Sequence, residues 1–205
     1  MKEPGESREF RKPDFDKPSW LFRFAMAVIR PLLTGPFLFR PFVESLGLSG
    51  KERVLELGCG NGVCLAYLAR ALEKGGQAVG VDTSSFMAER ARRRLEGFDN
   101  VKVRHGDIRS MDLTGNFDLV VFIHVLHDIE PEARLETLEA LAGLLGPGGG
   151  MCFMEPVSPA HGIAPAEIGR LLEKAGFVDI RMTPMGRRVR VLCRKAGAGP
   201  SEVPS

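Results

Sequence analysis

The stretch Val54-Leu55-Glu56-Leu57-Gly58-Cys59-Gly60-Asn61-Gly62 decides the fold of this chain. Its first half is aliphatic with one acid among the apolar residues, a composition typical of a buried parallel strand. Its second half places glycines at alternate positions, where the backbone can adopt positive φ and approach a bound molecule closely. A helix that follows such a turn offers unpaired N–H groups at its start. The stretch therefore predicts a strand, a ligand-binding turn and a helix.

The composition is that of an ordinary globular protein. Of the 205 residues, 44% are hydrophobic and 26% are charged, and the net charge is +2. Because the charges of both signs are interspersed, we expect no nucleic-acid-binding surface. The cysteines Cys59, Cys64, Cys152 and Cys193 lack C-x-x-C spacing, and no histidine lies at metal-ligand spacing from the first two. We therefore expect reduced thiols, no metal site, no secretion signal and a cytoplasmic location.

Changes in composition divide the chain into four segments. Residues 1–18 are mostly polar and contain three prolines, which predicts a flexible arm. Residues 19–48 carry amphipathic apolar segments and predict a helical cap, whose arginines and aromatic residues also suit transient contact with a membrane surface. Residues 49–195 alternate in pattern between strands and helices, and residues 196–205 predict a disordered tail.

The alternating segment predicts an α/β fold. Its spacing indicates a Rossmann-like, seven-stranded, mostly parallel sheet with helices on both faces and an antiparallel last strand. The seven residues 117–123 have almost no polar break after Asp118, which predicts a central strand that is buried on both faces. After the first strand, the predicted strands are 77–81, 101–105, 117–123, 151–155, 177–182 and 189–194, and the predicted helices are 63–73, 84–95, 131–145 and 165–175.

Acids end the first three predicted strands. They are Glu56, Asp82 and Asp107. Ligands bind beyond the carboxyl ends of the strands in an open α/β sheet, so these acids are interpreted as one site. Asp82 lies twenty residues after Gly62, a separation at which an acid closing the second strand can accept both hydroxyls of a ribose. Each acid alone would equally suit a helix cap or a turn, and their order favours the site.

The pattern E-x-G-x-G-x-G at 56–62 resembles the first motif of the class I S-adenosylmethionine (SAM) dependent methyltransferases. The resemblance covers about residues 50–194 and includes Gly106-Asp107-Ile108, Phe117-Asp118 and 145–149. It implies SAM as cofactor, with the glycine turn beside its amino-acid end and Asp107 on its adenine amino group. The cofactor-binding residues expected from it are Glu56, Gly58, Cys59, Gly60, Asp82, Thr83, Met87, Asp107, Ile108 and Ile123.

The candidate catalytic residues lie in the turn after the fourth strand. His127 followed by Asp128 is similar to the His-Asp pair of small-molecule O-methyltransferases, in which that histidine takes the proton of the acceptor hydroxyl. Imidazole suits a general base because its pKa lies near neutrality. His124 is a second candidate, and His161 is a third at the rim. The alternative is that His127 is structural and that Asp128 caps the following helix.

The acceptor pocket is assigned to the cap by elimination, because the loops after the fifth and sixth strands are short. An apolar or aromatic acceptor would suit the aromatic residues of that cap. We therefore expect methyl transfer to a small apolar or phenolic molecule, at oxygen. The aromatic residues concerned are Trp20, Phe22, Phe24, Phe37, Phe39 and Phe42.

Other functions stay open. The chain is also similar in size and motifs to the ubiquinone and menaquinone C-methyltransferases, which would make the acceptor quinone-like or lipid-like. A noncatalytic SAM-binding module would carry the same cofactor residues. A nicotinamide dehydrogenase is disfavoured by the glycine spacing and by the lack of a Tyr-x-x-x-Lys motif. The sequence indicates no oligomeric state.

Overall fold

A computed structural model describes residues 35–158 and 161–197. It confirms the predicted fold class, with one seven-stranded sheet in the order β3-β2-β1-β4-β5-β7-β6. The strands are β1 Arg53–Leu57, β2 Gln77–Asp82, β3 Val101–His105, β4 Phe117–Ile123, β5 Leu145–Pro156, β6 Phe177–Met185 and β7 Arg188–Lys195. The α-helices of the described residues are α1 Arg40–Glu44, α2 Val63–Ala71, α3 Ser85–Arg94, α4 Arg134–Leu144 and α5 Pro165–Lys174.

The sheet is parallel except at its last strand. β1 pairs in parallel with β2 and β4, and the parallel pairs continue to β3 on one side and β5 on the other. β7 lies between β5 and β6 and is antiparallel to both, which confirms the predicted antiparallel last strand. The strand order reverses between β1 and β4, so the chain leaves their carboxyl ends in opposite directions and opens a crevice there.

The core has two halves, one on each face of the sheet. β4 contributes Val120 and Phe122 to one face and Val121 to the other, and all three are fully buried. This confirms the prediction of a central strand. Leu138 of α4 and Leu172 of α5 cover the first face. The second face is covered by α1, α2 and α3, through residues that include Phe42, Val43, Leu65, Leu68 and Ala91.

The boundaries of β5 and of the preceding helix differ from the prediction. β5 begins at Leu145, where the sequence predicted a start at residue 151, because the glycine run already pairs with β4 through Leu145 and Phe117. A Cβ atom on Gly149 would lie 2.9 Å from the Phe117 carbonyl oxygen, so the close pairing of the two strands requires glycine at this position. The predicted helix 131–145 is divided into a 3₁₀ turn, Pro131–Ala133, and α4.

Several predicted segments lie outside the described residues. These are the arm 1–18, the first part of the cap (19–34) and most of the tail (198–205). The described part of the cap forms a π-helical turn, Gly35–Phe39, followed by α1. Ala196, the first residue of the predicted tail, still donates a backbone hydrogen bond to Gly176. The division into four segments stays a prediction.

The two edges of the sheet are irregular or charged. At one edge, β6 carries a register shift between Val178 and Arg181, and Asp179 within it has φ +54°. At the other edge, Lys102 and Arg104 of β3 are exposed. No helix among the described residues is long and apolar enough to cross a bilayer.

Candidate active site

The glycine turn after β1 adopts left-handed backbone conformations. Gly58 has φ +63°, and a Cβ atom there would lie 2.6 Å from a methyl carbon of Val125, so only glycine lets the turn pass the segment after β4. Gly60 has φ +53°, and no heavy atom lies within 4 Å of the position that its Cβ atom would occupy. The turn therefore leaves open space for a ligand directly above the backbone of Gly60.

Asp82 joins the ends of β1 and β2. One carboxylate oxygen accepts a hydrogen bond from the Gly60 backbone N–H at 2.7 Å, and the other accepts from the Ser84 N–H at 2.9 Å. Ser84 in turn caps α3, because its hydroxyl oxygen accepts from the Met87 N–H. The acid at the end of β2 thus fixes the glycine turn and the start of α3 in one arrangement.

A cavity of about 230 Å³ lies at the carboxyl ends of β1, β2 and β4. Phe39, Arg109, His124 and Asp128 also line it. It brings together all ten residues that the sequence predicted for the cofactor site, although their binding roles stay predictions. These ten are Glu56, Gly58, Cys59, Gly60, Asp82, Thr83, Met87, Asp107, Ile108 and Ile123.

Glu56 is a buried acid in the wall of this cavity. It is 4% exposed, and its Oε2 atom has no hydrogen-bond partner. Burial raises the pKa of Glu56 to about 8, and the charge of Asp82 adds to this effect, while a hydrogen bond with Cys64 opposes it. The carboxyl is therefore largely neutral at neutral pH. A cationic group of a ligand that reached Oε2 would favour the ionised form, so this wall fits the ammonium end of SAM.

The cysteines of the site are not activated. Burial raises the pKa of both Cys59 and Cys64 well above the ordinary thiol value, and nearby acidic groups add to this effect. A nucleophilic cysteine requires the thiolate, which these surroundings disfavour. All four cysteines of the chain are buried free thiols.

Asp107 is engaged by an arginine that the sequence analysis did not identify. The Arg109 guanidinium donates from Nε to Oδ1 at 3.0 Å and from Nη2 to Oδ2, and its Nη1 atom lies 3.4 Å from Oε2 of Glu136 on α4. The bidentate contact with Asp107 raises the pKa of Arg109. An adenine amino group would therefore have to share the Asp107 carboxylate with this guanidinium. Sequence offered no signal, because Arg109 is one basic residue in a polar loop.

His127 is oriented by a buried carboxylate. Its Nδ1 atom lies 2.7 Å from Oε2 of Glu155, a residue with no exposed surface, and its Nε2 atom lies 3.4 Å from Oδ1 of Asp128. Burial alone would lower the pKa of His127, but the hydrogen bond and charge of Glu155, together with Asp128, outweigh it and raise the pKa. The pairing assigns the Nδ1 proton to the bond with Glu155 and makes Nε2 the atom that can exchange a proton with a ligand.

Glu155 also organises the backbone around His127. Its Oε1 atom accepts from the N–H groups of Val125 and Leu126, both at 2.8 Å. Sequence analysis missed this residue, although a signal was present. Glu155 is the one acid in the apolar core of β5 and stands near its carboxyl end, as Glu56 and Asp82 do in β1 and β2.

His124 and His127 have different positions. His124 lines the cavity in a left-handed conformation, φ +59°, and its backbone N–H donates to Met154 at 2.8 Å. Such a conformation is costly for a non-glycine residue and is concentrated at functional sites. His127 is not among the residues that line the cavity, and its ring centroid lies 6.3 Å from that of His124. His161 lies on an exposed loop, and the helical turn after Asp128 has Glu130 at its N-cap position, without a side-chain cap.

Comparison with known proteins agrees with this geometry. Residues 54–149 match the family described as methyltransferase domain. A protein-L-isoaspartate O-methyltransferase of a Bradyrhizobium strain is 31% identical over 159 residues, which cover 74% of this chain and 68% of that protein. An uncharacterized 37.1 kDa protein in transposon TN4556 of Streptomyces fradiae is 36% identical over 115 residues, which cover 56% of this chain and only 33% of that protein.

A solved structure shows the same fold over nearly its whole length. A SAM-dependent methyltransferase from Aquifex aeolicus superposes with a TM-score of 0.73 at 21% identity, covering 83% of this chain and 97% of that one. The similarity supports the fold at a level of identity where side-chain roles are not transferable.

The first prediction compares the acids that end β2 and β3. Asp82→Ala should weaken SAM binding about 100-fold, because two ribose hydroxyls lose a charged acceptor and the Gly60 turn loses its anchor. Asp107→Ala should cost about tenfold or less, since one adenine contact is lost and Arg109 is released. Calorimetric titration with SAM and S-adenosylhomocysteine measures both variants. Unchanged affinity in Asp82→Ala would remove this residue from the site.

The second prediction concerns the protonation of Glu56. Its pKa in the folded protein, about 8, is raised above the ordinary 4.5, so before SAM binds the carboxyl holds a proton that the ammonium of SAM should displace. SAM binding at about pH 6.5 should therefore release a proton, and affinity should increase with pH up to about 8. Calorimetry in two buffers with different heats of ionisation counts the protons. Glu56→Gln should abolish the release; an equal release in this variant would assign the proton to another group.

Proposed function

Since the chain belongs to the class I SAM-dependent methyltransferases, we propose that it transfers the methyl group of SAM to the hydroxyl oxygen of a small apolar or phenolic molecule. The observation that carries the choice of oxygen is the His127–Glu155 pair at the carboxyl edge of the sheet. An acceptor that holds its proton at neutral pH needs a base, and this pair supplies one with a defined orientation.

Residues of the cavity wall would hold the cofactor. Glu56 would meet the ammonium group, the open backbone at Gly60 would lie along the amino-acid chain, and Asp82 would accept the ribose hydroxyls. When bound, SAM supplies a methyl group on a positively charged sulfur. Several acids in the wall favour that charge, because Glu56, Asp82, Asp107 and Asp128 all line the cavity.

The chain's own part in the reaction is alignment and proton transfer. His127 keeps its Nδ1 proton on Glu155 and presents Nε2 to the acceptor hydroxyl. As the methyl group passes to the acceptor oxygen, its bond to the sulfur of SAM would break with the electron pair left on sulfur. The hydroxyl proton would pass to Nε2 of His127, and the buried Glu155 carboxylate would stabilise the imidazolium that results. His127 does not line the cofactor cavity, but its ring lies 6.3 Å, centroid to centroid, from that of His124, which does line it. An acceptor would therefore meet His127 on the His124 side of the cavity.

The cap is proposed to cover the acceptor. Phe39 lines the cavity, and the next turn of the chain is anchored because Phe42 and Val43 of α1 are buried against the sheet. Ser45, just after α1, accepts a hydrogen bond from Arg190 of β7 through its carbonyl oxygen. These contacts support a role for the described part of the cap in closing the acceptor side. A transient membrane contact through residues 19–48 stays a prediction. Phe37 is 80% exposed and does not line the cavity.

The test of oxygen transfer is His127→Ala. With labelled SAM and a panel of phenols and quinols, the variant should lose about 10²- to 10⁴-fold in kcat while its affinity for SAM is nearly unchanged. The wild-type rate at saturating SAM should increase with pH, because the base must be neutral, and the midpoint should lie above 6.5 since Glu155 raises the pKa of His127.

The control for this test is His105→Gln. His105 is an exposed histidine whose ring contacts the Thr83 carbonyl oxygen and makes no contact with His127 or Glu155. It should retain the wild-type rate and pH profile. A His127→Ala rate within a few-fold of wild type, with a flat profile between about pH 6 and 8, would indicate an acceptor that needs no base, such as an activated ring carbon.

The cap proposal is tested by two neighbouring aromatic residues. Phe39→Ala should raise KM for the acceptor about tenfold or more, because a wall of the cavity is lost, while Phe37→Ala should have little effect on KM. Steady-state kinetics at saturating SAM give both values. An unchanged acceptor KM in Phe39→Ala would mean that the acceptor binds away from this segment.

A further inference from the structure

Arg134 is a buried arginine outside the cavity. It is the first residue of α4, is 7% exposed, and contacts four oxygen atoms. Its Nε atom donates to the carbonyl oxygens of Leu126 at 3.1 Å and Ile129 at 3.0 Å, and its Nη2 atom donates to that of His127 at 3.3 Å. Its Nη1 atom pairs with Oε1 of Glu167 on α5 at 2.7 Å.

These contacts lie on the segment that carries His127. The 3₁₀ turn Leu126–Asp128 has no side-chain cap, and a single short turn leaves most of its own carbonyl groups without intrahelical partners. The planar guanidinium holds its donors in a fixed fork, so one arginine can satisfy several of these oxygens together. A lysine in its place could not span the same set.

The turn is therefore held from two sides by buried charges of opposite sign. Glu155 of β5 accepts from the N–H groups of Val125 and Leu126 at the start of the turn. Arg134 of α4 donates to carbonyl groups within the turn and just after it, those of Leu126, His127 and Ile129. Removing either charge leaves backbone groups unsatisfied in a low-dielectric region, which favours rearrangement of the turn.

We propose that Arg134 is a positioning residue for methyl transfer: anchored by Glu167, it holds the turn so that the His127 imidazole stays on Glu155 with its Nε2 atom toward the acceptor. The proposal rests on the proposed function, since it gives Arg134 a part in the reaction only through His127. Through the Glu167–Arg134 ion pair, helix α5 thus influences the orientation of the His127 ring.

A simple charge effect predicts the opposite result. The groups facing His127 are Glu155 from β5, Asp128 from its own turn, His124 from the end of β4, and Arg134 from α4 with Glu167 behind it. The charge of Arg134 lowers the pKa of His127, while Glu155 and Asp128 raise it. If Arg134 acted only as a nearby charge, its removal would raise the pKa of His127. If it positions the turn, its removal frees the imidazole from Glu155 and the pKa falls.

The experiment is a titration of His127 by NMR in the full chain with S-adenosylhomocysteine bound. The resonance is assigned as the one that His127→Gln removes. In Arg134→Gln we expect the pKa of His127 to fall from its raised value toward 6.5. We expect kcat to fall about 10- to 100-fold with acceptor KM changed less, as for a displaced catalytic group. A pKa that rises or does not move would overturn the proposal.

Glu167→Gln is a second variant in case Arg134→Gln does not fold. It removes only the anchor, and the Glu167 side chain is 35% exposed, so its loss should be tolerated. It should move the pKa and kcat in the same direction by smaller amounts. The matched controls are Arg170→Gln and Glu173→Gln, exposed residues of the same helix α5, and both should titrate and react as wild type.

The two proposals can fail separately. If His127→Ala retains full activity, the base assignment is wrong, yet a fall in the pKa of His127 in Arg134→Gln would still show that the arginine holds the turn. If His127→Ala is inactive and Arg134→Gln keeps both wild-type kcat and the wild-type pKa of His127, the base assignment stands and the positioning role is wrong.

Discussion

A carboxylate with no exposed surface must be surrounded by hydrogen-bond donors, and Glu155 imposes that requirement on the carboxyl edge of the sheet. The donors nearest to it are the N–H groups of Val125 and Leu126 and the ring of His127. The segment after β4 is therefore folded around the carboxylate, and His127 takes its orientation from the same contact. Because Gly58 packs closely against Val125, the position of the glycine turn after β1 also depends on this segment.

The sequence predicted correctly which residues lie together at the carboxyl ends of the strands. The acids Glu56, Asp82 and Asp107 were assigned to one site because parallel strands bring their carboxyl ends to one edge, and the cavity contains all three. The predicted start of β5 was too late, because a glycine run can end a helix and can also form part of a strand.

The residues that sequence analysis missed are those whose roles depend on partners distant in the chain. Arg109 contacts Asp107 and Glu136, and Arg134 reaches Glu167, so their significance requires the packing of α4 against the loops and α5. His127 was identified from its resemblance to a motif. Its carboxylate partner was 28 residues away and was identified only by folding the chain.

The irregular edges of the sheet have a consequence for the behaviour of the protein at high concentration. An exposed strand edge is a template on which another chain can add a strand, and this is a common route to aggregation. The register shift and the left-handed Asp179 twist the β6 edge away from such pairing, and Pro184 of the same strand has no N–H to offer. Lys102 and Arg104 place charge on the β3 edge. Growth of the described sheet from one molecule into the next is thus opposed at both of its edges.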